Sequence, residues 1–527
     1  MESMLSLIKK IDHFLEQNIL LTAFLLLAAV LRIPNFFEPY WYGDEAIYLT
    51  IGTAMRNGER LYADIIDHKT PIIYYLAMVP SQMDFRVLNV VCALVTITLF
   101  YFFAKQLMQS RIAIGISMLV FVLLTTLPWF EGMIPNGELF VMFFIFWGAT
   151  CFAKTTVWKK YLQKDSLPNT VIKINAQQSF LLFLTGCFFS LGVLTKVPAL
   201  FDALAFFFVF WLLFVGSLLG QKNWHAVGQI ILAGVITFAG LFTPILVSII
   251  YFVWRGSGQA YLNYGLLYNF HYVETWVPHF STSILNLLFT LPGKAVILAV
   301  LLLLFSFVPK VLSNRFRFLA AWFGLALFAT LLSNRPYPHY YLQTMPPLAL
   351  LVGYVWEKLG IIFSKSNLSA LLESSLAILL VALFGGVLMA LQVGPYSTKE
   401  YYLKFWQLAT QQISATQYRN SFNGLDADNY KAAAIIKTSK QPKTFIWGTD
   451  PMLYALSGKS PVGRFTVAFH IFDLHAENET LQNVISYAPE YIVVLKQERH
   501  FPELEAFITQ DYSPNVQFEH FTLWKHN

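Results

Sequence analysis

Residues 227–254 read VGQIILAGVITFAGLFTPILVSIIYFVW, a stretch without one Asp, Glu, Lys or Arg. A helix of about 20 such residues crosses the ~30 Å hydrocarbon layer of a bilayer, so this run is long enough to span a membrane. Composition extends the reading to the whole chain. Hydrophobic residues make up 56% of the 527 positions and charged residues 13%, against about 25% charged in soluble domains. So few charges cannot cover a water-soluble surface of this size, which excludes an ordinary soluble enzyme, a disordered chain and a coiled coil. Cys92, Cys151 and Cys187 all lie in apolar runs and form no disulfide scaffold. The net charge of +6 is spread over several loops and leaves no nucleic-acid footprint.

Ten further runs are predominantly apolar over a spanning length, giving expected spans near 17–34, 85–107, 112–130, 136–153, 179–195, 198–219, 227–254, 286–308, 317–333, 339–357 and 369–393. The first is too long, and lacks the small-residue cleavage site, for a removed signal peptide. Residues 71–80 are apolar but too few to cross, and are assigned to an interfacial helix. Residues 395–527 hold 25 of the charged residues and no apolar run of spanning length. The expected organisation is a membrane domain, 1–394, and a polar domain, 395–527, in which β-rich runs at Thr444–Trp447 and Tyr491–Leu495 alternate with helix-like pieces. That is a small α/β domain, read as a lid or acceptor-docking module.

Lys and Arg in short loops mark the cytoplasmic side. With the N-terminus inside, those loops carry Lys9 and Lys10; Lys105 and Arg111; Lys154, Lys159, Lys160, Lys164 and Lys173; Lys222; Lys310, Arg315 and Arg317; and Lys358 and Lys365. A crossing at 71–80 would invert the later loops and put the lysine-rich segment 154–178 outside. Eleven spans fit, and the first loop, roughly 35–84, and the polar domain are then outside.

That first loop reads Tyr40-Trp41-Tyr42-Gly43-Asp44-Glu45-Ala46, runs as a helix to Asn57-Gly58, and continues through Asp64 to Asp67-His68-Lys69-Thr70-Pro71. Singly, Asp44 reads equally as a helix N-cap and Lys69 as a snorkelling anchor. Together with Asp64 and Asp67 they suit a site in which a carboxylate takes a proton from an acceptor hydroxyl and a lysine offsets charge on a departing phosphate. Glu131 and Glu138 flank the short second outer loop, where a carboxylate so near hydrocarbon is a functional candidate. Lys196 ends the fifth span, as a phosphate ligand or an anchor. Arg335 and His339 lie in an aromatic, proline-rich outer loop, where Arg suits bidentate phosphate contact and equally an interface anchor among tyrosines. His271, Glu274 and His279 lie in the aromatic loop 255–285, whose spacing is a poor metal signal and which is read as a surface for lipid or sugar.

Gly43-Asp44-Glu45-Ala46 followed by Asp67-x-Lys69-x-Pro71 resembles the first outer loop of the membrane-embedded GT-C glycosyltransferases. The nearest branch is that of bacterial relatives of protein O-mannosyltransferases and the lipid A aminoarabinose transferase. Thr195-Lys196 before Pro198, Arg335-Pro336-Tyr337-Pro338-His339-Tyr340-Tyr341, and Phe445-Ile446-Trp447-Gly448 with Tyr454 and Arg464-Phe465 are similar to further motifs of that family. Many relatives have Lys-Pro-Pro where this chain has Lys69-Thr70-Pro71.

The resemblance implies a polytopic α-helical membrane protein of the GT-C type in a bacterial plasma (inner) membrane. It implies an inverting glycosyltransferase that uses a polyprenyl-phosphate-linked sugar donor and a lipid, glycan or protein acceptor. By that resemblance Asp44 is the implied general base, Glu138 a second catalytic acidic residue and Lys69 a donor-phosphate ligand; Lys196, Arg335 and His339 are further candidate phosphate ligands, and Glu45, Asp67 and His68 candidate supporting residues. A divalent metal is left open. The rival class is a transporter or flippase of lipid-linked glycans, which keeps its ionisable groups near the membrane midplane. Here they gather at span ends.

Overall fold

The computed structural model describes residues 18–162, 172–220, 224–274, 276, 278, 280–307, 311–364 and 367–527. Lys9, Lys10, Lys164, Lys222, His279, Lys310 and Lys365 lie outside the described residues.

A helix stands on each expected span: Ile19–Leu31, Gln82–Leu107, Arg111–Thr126, Gly137–Ala153, Ala176–Val193, Ala199–Gly220, Trp224–Trp254, Leu291–Phe307, Asn314–Thr330, Met345–Ser364 and Leu368–Ala390. Among the described residues, 7 helices are long and apolar enough to cross a membrane. They become 8 if Gly137–Ala153 and Thr156–Leu162, bent by 80°, form one span. Several others are cut short by polar groups at their ends. Ser110 caps Arg111–Thr126 by accepting from Ala113 N. The run expected at 286–308 breaks into Ser283–Leu288 and Leu291–Phe307, where Thr290 Oγ1 accepts from Gly293 N at 3.1 Å.

Small residues set the closest crossing in the bundle. A Cβ at Gly186 would stand 2.0 Å from Thr237 O, and one at Gly240 2.1 Å from Phe183 O. Ala176–Val193 and Trp224–Trp254 therefore meet backbone to backbone, the packing that glycine permits between membrane helices. Elsewhere the interior is aromatic: Phe103, Phe146, Phe152, Trp158, Phe206, Phe318 and Trp322 are buried against one another.

In the first loop, helix Gly43–Arg56 carries Asp44 and Glu45 in its first turn, where the helix dipole favours negative charge. It stops at Asn57, ahead of Gly58 at φ +98°. The N-cap is Tyr42, not Asp44. The helix expected at 71–80 is Ile72–Leu76, five residues long. The aromatic stretch expected as the loop 255–285 is instead largely helical, with a π-helical segment Tyr261–Leu267 followed by Tyr268–Glu274.

After Ala390 the chain continues through Thr398–Ala409 into a five-stranded sheet: β1 Lys443–Trp447, β2 Ser460–Pro461, β3 Tyr491–Leu495, β4 Tyr512–Gln517 and β5 Phe521–His526. The spatial order is β2-β1-β3-β5-β4, with β1 parallel to β2 and β3, and β5 antiparallel to β3 and β4. This domain shares a core with the first loop. Phe445, Trp447, Phe465, Ile471 and Ile492 are buried together with Ile47, Ile51, Leu61, Ile65 and Ile73. Ile66 N donates to Arg464 O at 2.8 Å, so the loop joins the domain through backbone as well.

Candidate active site

Two loop segments meet at Lys69. Its side chain is buried, and Nζ stands 3.5 Å from Asp44 Oδ1 and 3.5 Å from Asp67 Oδ2. It is no snorkelling anchor. The backbone around it is fixed: Tyr62 donates to Lys69 O (2.8 Å), Tyr74 donates to Asp67 Oδ2 (2.6 Å), and Thr70 donates to Val193 O (3.0 Å). Burial alone would lower the Lys69 ammonium, but Asp44 and Asp67 outweigh it and raise its pKa above the ordinary value. Burial likewise pushes both carboxyls up. Lys69 and His339 override it at Asp44, whose pKa is lowered, and Lys69 and His68 override it at Asp67, which falls well below the carboxylate range. Asp44 is the more accessible of the two, at 24% of its side chain against 0% for Asp67.

Around this centre stand the other expected residues. Lys196 forms an ion pair with Glu138 and lies 4.2 Å from the centre of the Tyr340 ring. Ile72 N donates to Leu194 O at 2.9 Å, which holds the Lys69 segment beside the helix end that presents Lys196. His339 Nε2 is 3.9 Å from Asp44 Oδ2, and His339 Nδ1 is 2.6 Å from Glu131 Oε2. Arg335 stacks on Tyr272 at 4.4 Å, and the His68 ring stacks on the same tyrosine at 4.5 Å.

Glu45 takes a different place from the one expected. Both its oxygens accept from Arg86, Nε and Nη2 each at 2.8 Å, while Arg86 Nη1 donates to Asn35 O and Glu38 O at 2.7 Å. The pair is buried, and Glu45 points about 100° around the helix from Asp44, the step between adjacent helical positions. Glu45 braces the loop and takes no part in the site.

Glu131, expected as a candidate of the second outer loop and at φ +57°, joins through His339 and through a hydrogen bond from Tyr42. Other members were not readable from spacing. Tyr48 donates to Asp44 Oδ2 at 3.1 Å; its position one helical turn after Asp44 is the one signal the sequence held. His470 comes from the C-terminal domain and reaches His68, Nε2 to Nδ1 at 3.1 Å. Burial pushes His470 down to about 3, against the opposing pull of Asp67. Of the 255–285 candidates, His271 is exposed.

The arrangement sets a partly open carboxylate beside Lys69 and His339, with Lys196 and an aromatic wall around them. Such groups can accept a proton and hold an anion.

No protein-family model and no curated protein matches the sequence. Among solved structures, ArnT from Cupriavidus metallidurans bound to undecaprenyl phosphate is similar at TM-score 0.53 and 13% identity, over 95% of this chain and 97% of that chain. ArnT in the apo state gives 0.49 and 12%, with the same coverage. The archaeal oligosaccharyltransferase AglB from Archaeoglobus fulgidus, in complex with an inhibitory peptide and a dolichol-phosphate, gives 0.42 and 12%, over 90% and 69%. The likeness to lipid-bound ArnT spans bundle and C-terminal domain alike and shows the fold.

Proposed function

We propose that this protein of GT-C fold is an inverting glycosyltransferase that moves a sugar from a polyprenyl-phosphate carrier to an acceptor hydroxyl on the extracytoplasmic face of a bacterial inner membrane. The observation that carries the reading is the placing of Asp44 and Lys69 3.5 Å apart, with Asp44 accessible and Lys69 buried. In the reaction the acceptor oxygen bonds to the anomeric carbon on the face opposite the phosphate, and the carbon–oxygen bond to phosphate breaks. Asp44 takes the hydroxyl proton as general base. The polyprenyl phosphate departs with the bonding electrons, and Lys69, with Lys196 and Arg335, offsets its charge. Glu138 aims Lys196, and Glu131 with Tyr42 aims His339 at Asp44.

The basic loops support an N-terminus inside and the site outside. Undecaprenyl phosphate, to which the ArnT structure is bound, supports the carrier class. The site's charges gather where the first loop meets the span ends, which favours transfer over transport.

The test uses purified protein in lipid nanodiscs with a polyprenyl-phosphate sugar. D44N is expected to lose transfer by about 10²–10⁴-fold, the usual worth of a general base, while retaining donor binding. Turnover equal to wild type in D44N overturns the assignment.

A further inference from the structure

The first span, Ile19–Phe37, exposes Leu26, Val30 and Ile33, which share one face at helical spacing. In a membrane span an exposed apolar stripe of this kind faces acyl chains. Phe37, also exposed, ends the span. The apolar surface does not end with it. The Phe37 ring meets Phe405 with centroids 5.3 Å apart, and the Tyr402 hydroxyl donates to Leu31 O at 2.7 Å. Both partners belong to Thr398–Ala409, the helix that leads from the last span into the C-terminal domain. That helix therefore lies at the level where the first span gives way to the first loop.

Its sequence, TKEYYLKFWQLA, divides by face. At about 100° per residue, Glu400, Lys404 and Gln407 fall on one side, and Tyr402, Leu403, Phe405, Trp406 and Ala409 on the other. Two contacts fix the rotation of the helix against the protein. Tyr401 is buried and donates to Glu38, and Lys404 Nζ donates to Ser421 O at 3.0 Å. What remains uncovered is apolar: Leu403 is 47% exposed and Trp406 63%. The exposed Lys399 stands on the same side, in the first turn.

Three observations identify the occupant of this face. It continues, through Phe37 and Phe405, the lipid-facing stripe of a membrane span. It carries Trp406 and Tyr402 beside the end of that span, where indole and phenol rings anchor to the headgroup layer. Lys399 can lay its methylenes along the apolar face and extend its ammonium to a headgroup phosphate. A helix with one such face and one polar face lies in the plane of the interface.

We propose that Thr398–Ala409 is an interfacial helix whose partner is the phospholipid leaflet on the side of the first loop, with Leu403 and Trp406 at the acyl boundary and Glu400 and Gln407 toward water. The helix sets the height of the C-terminal domain over the membrane. Glu38, which accepts from Tyr401, also accepts from Trp41 Nε1 at 2.8 Å, so the lipid-seated helix braces the chain just ahead of Asp44. The inference concerns membrane contact and stands apart from the transferase reading.

The test is photolabelling of the full-length wild-type protein in nanodiscs of phosphatidylethanolamine and phosphatidylglycerol that contain a phospholipid with a diazirine on its acyl chain. Adducts are mapped by mass spectrometry. Leu403 and Trp406 are expected to take label as Leu26 and Val30 do, while Gln482, exposed on the C-terminal domain, takes none. The double variant Leu403→Glu/Trp406→Glu should lose the label on this helix and keep it on Leu26 and Val30. If that variant does not fold, wild type decides: an unlabelled Leu403–Trp406 stretch beside labelled Leu26 and Val30 overturns the proposal. A second copy seated on the face would leave the stretch unlabelled and let an amine crosslinker join two chains through Lys399, which overturns it equally.

Discussion

Gly52 lies so close to Ala77 that a Cβ on Gly52 would stand 2.2 Å from the Ala77 carbonyl oxygen and 2.5 Å from its carbon. The helix holding Asp44 and the turn that follows the Lys69 segment are thus in backbone contact, and the Asp44–Lys69 spacing depends on that contact. Gly52→Ala should destabilise the protein by about 1–3 kcal/mol, the range for overpacking, and should reduce transfer at temperatures where the protein stays folded. Thermal unfolding and turnover measured together check this; wild-type values for both would refute the coupling.

Glu45→Ala leaves the Arg86 guanidinium buried without its carboxylate. Breaking a buried pair in this way costs about 3–5 kcal/mol, whereas replacing both partners by apolar residues of similar size is often close to neutral. The double variant Glu45→Leu/Arg86→Met should therefore melt closer to wild type than Glu45→Ala does. Neither result depends on assaying transfer.

Transfer should be insensitive to acid through Asp44 over the neutral range. Lys69, His339 and Lys196 outweigh burial and hold this carboxyl below its ordinary value, near 3.9 in a free Asp by rough reference. The base form is thus present above that value, and kcat/KM falls only as pH drops through the lowered pKa. An acid limb near pH 6 in wild type would contradict the assignment of Asp44 as base.

Lys69→Met removes the largest cation acting on Asp44 and on Asp67. Both carboxyls then rise, the acid limb of the rate profile moves to higher pH, and donor affinity drops. The stability contributed by the depressed Asp67 carboxyl is present above the unfolded value of about 3.9 and is lost as pH falls through the folded one. The variant should therefore lose stability at neutral pH. A pH–rate profile and a denaturation series separate the two effects.

The spans were legible because length and apolarity are local properties, and Asp44 and Lys69 as candidates because they stand in one loop, 25 positions apart. What escaped reading is held by contacts between distant segments. His470 meets His68, and Glu131 meets His339, pairings that no periodicity carries. Glu45 was placed with Asp44 because the two are adjacent, yet one helical step turns it toward Arg86. The division at Thr290 and the helical course of 258–274 were hidden by aromatic and apolar content that suits loop, strand or helix alike.

The backbone bond from Ile66 to Arg464 bears on how the molecule is made. The ribosome delivers the first loop early and its partner segment close to the end, after the last helix of the bundle. Until then the Lys69 segment has no neighbour for its backbone edge, and Asp67 has no His470. Membrane insertion and maturation of the site are therefore separate events in biogenesis, the second waiting on the first. A nascent or prematurely terminated chain reaches the bilayer with its helices in place and its chemistry unfinished.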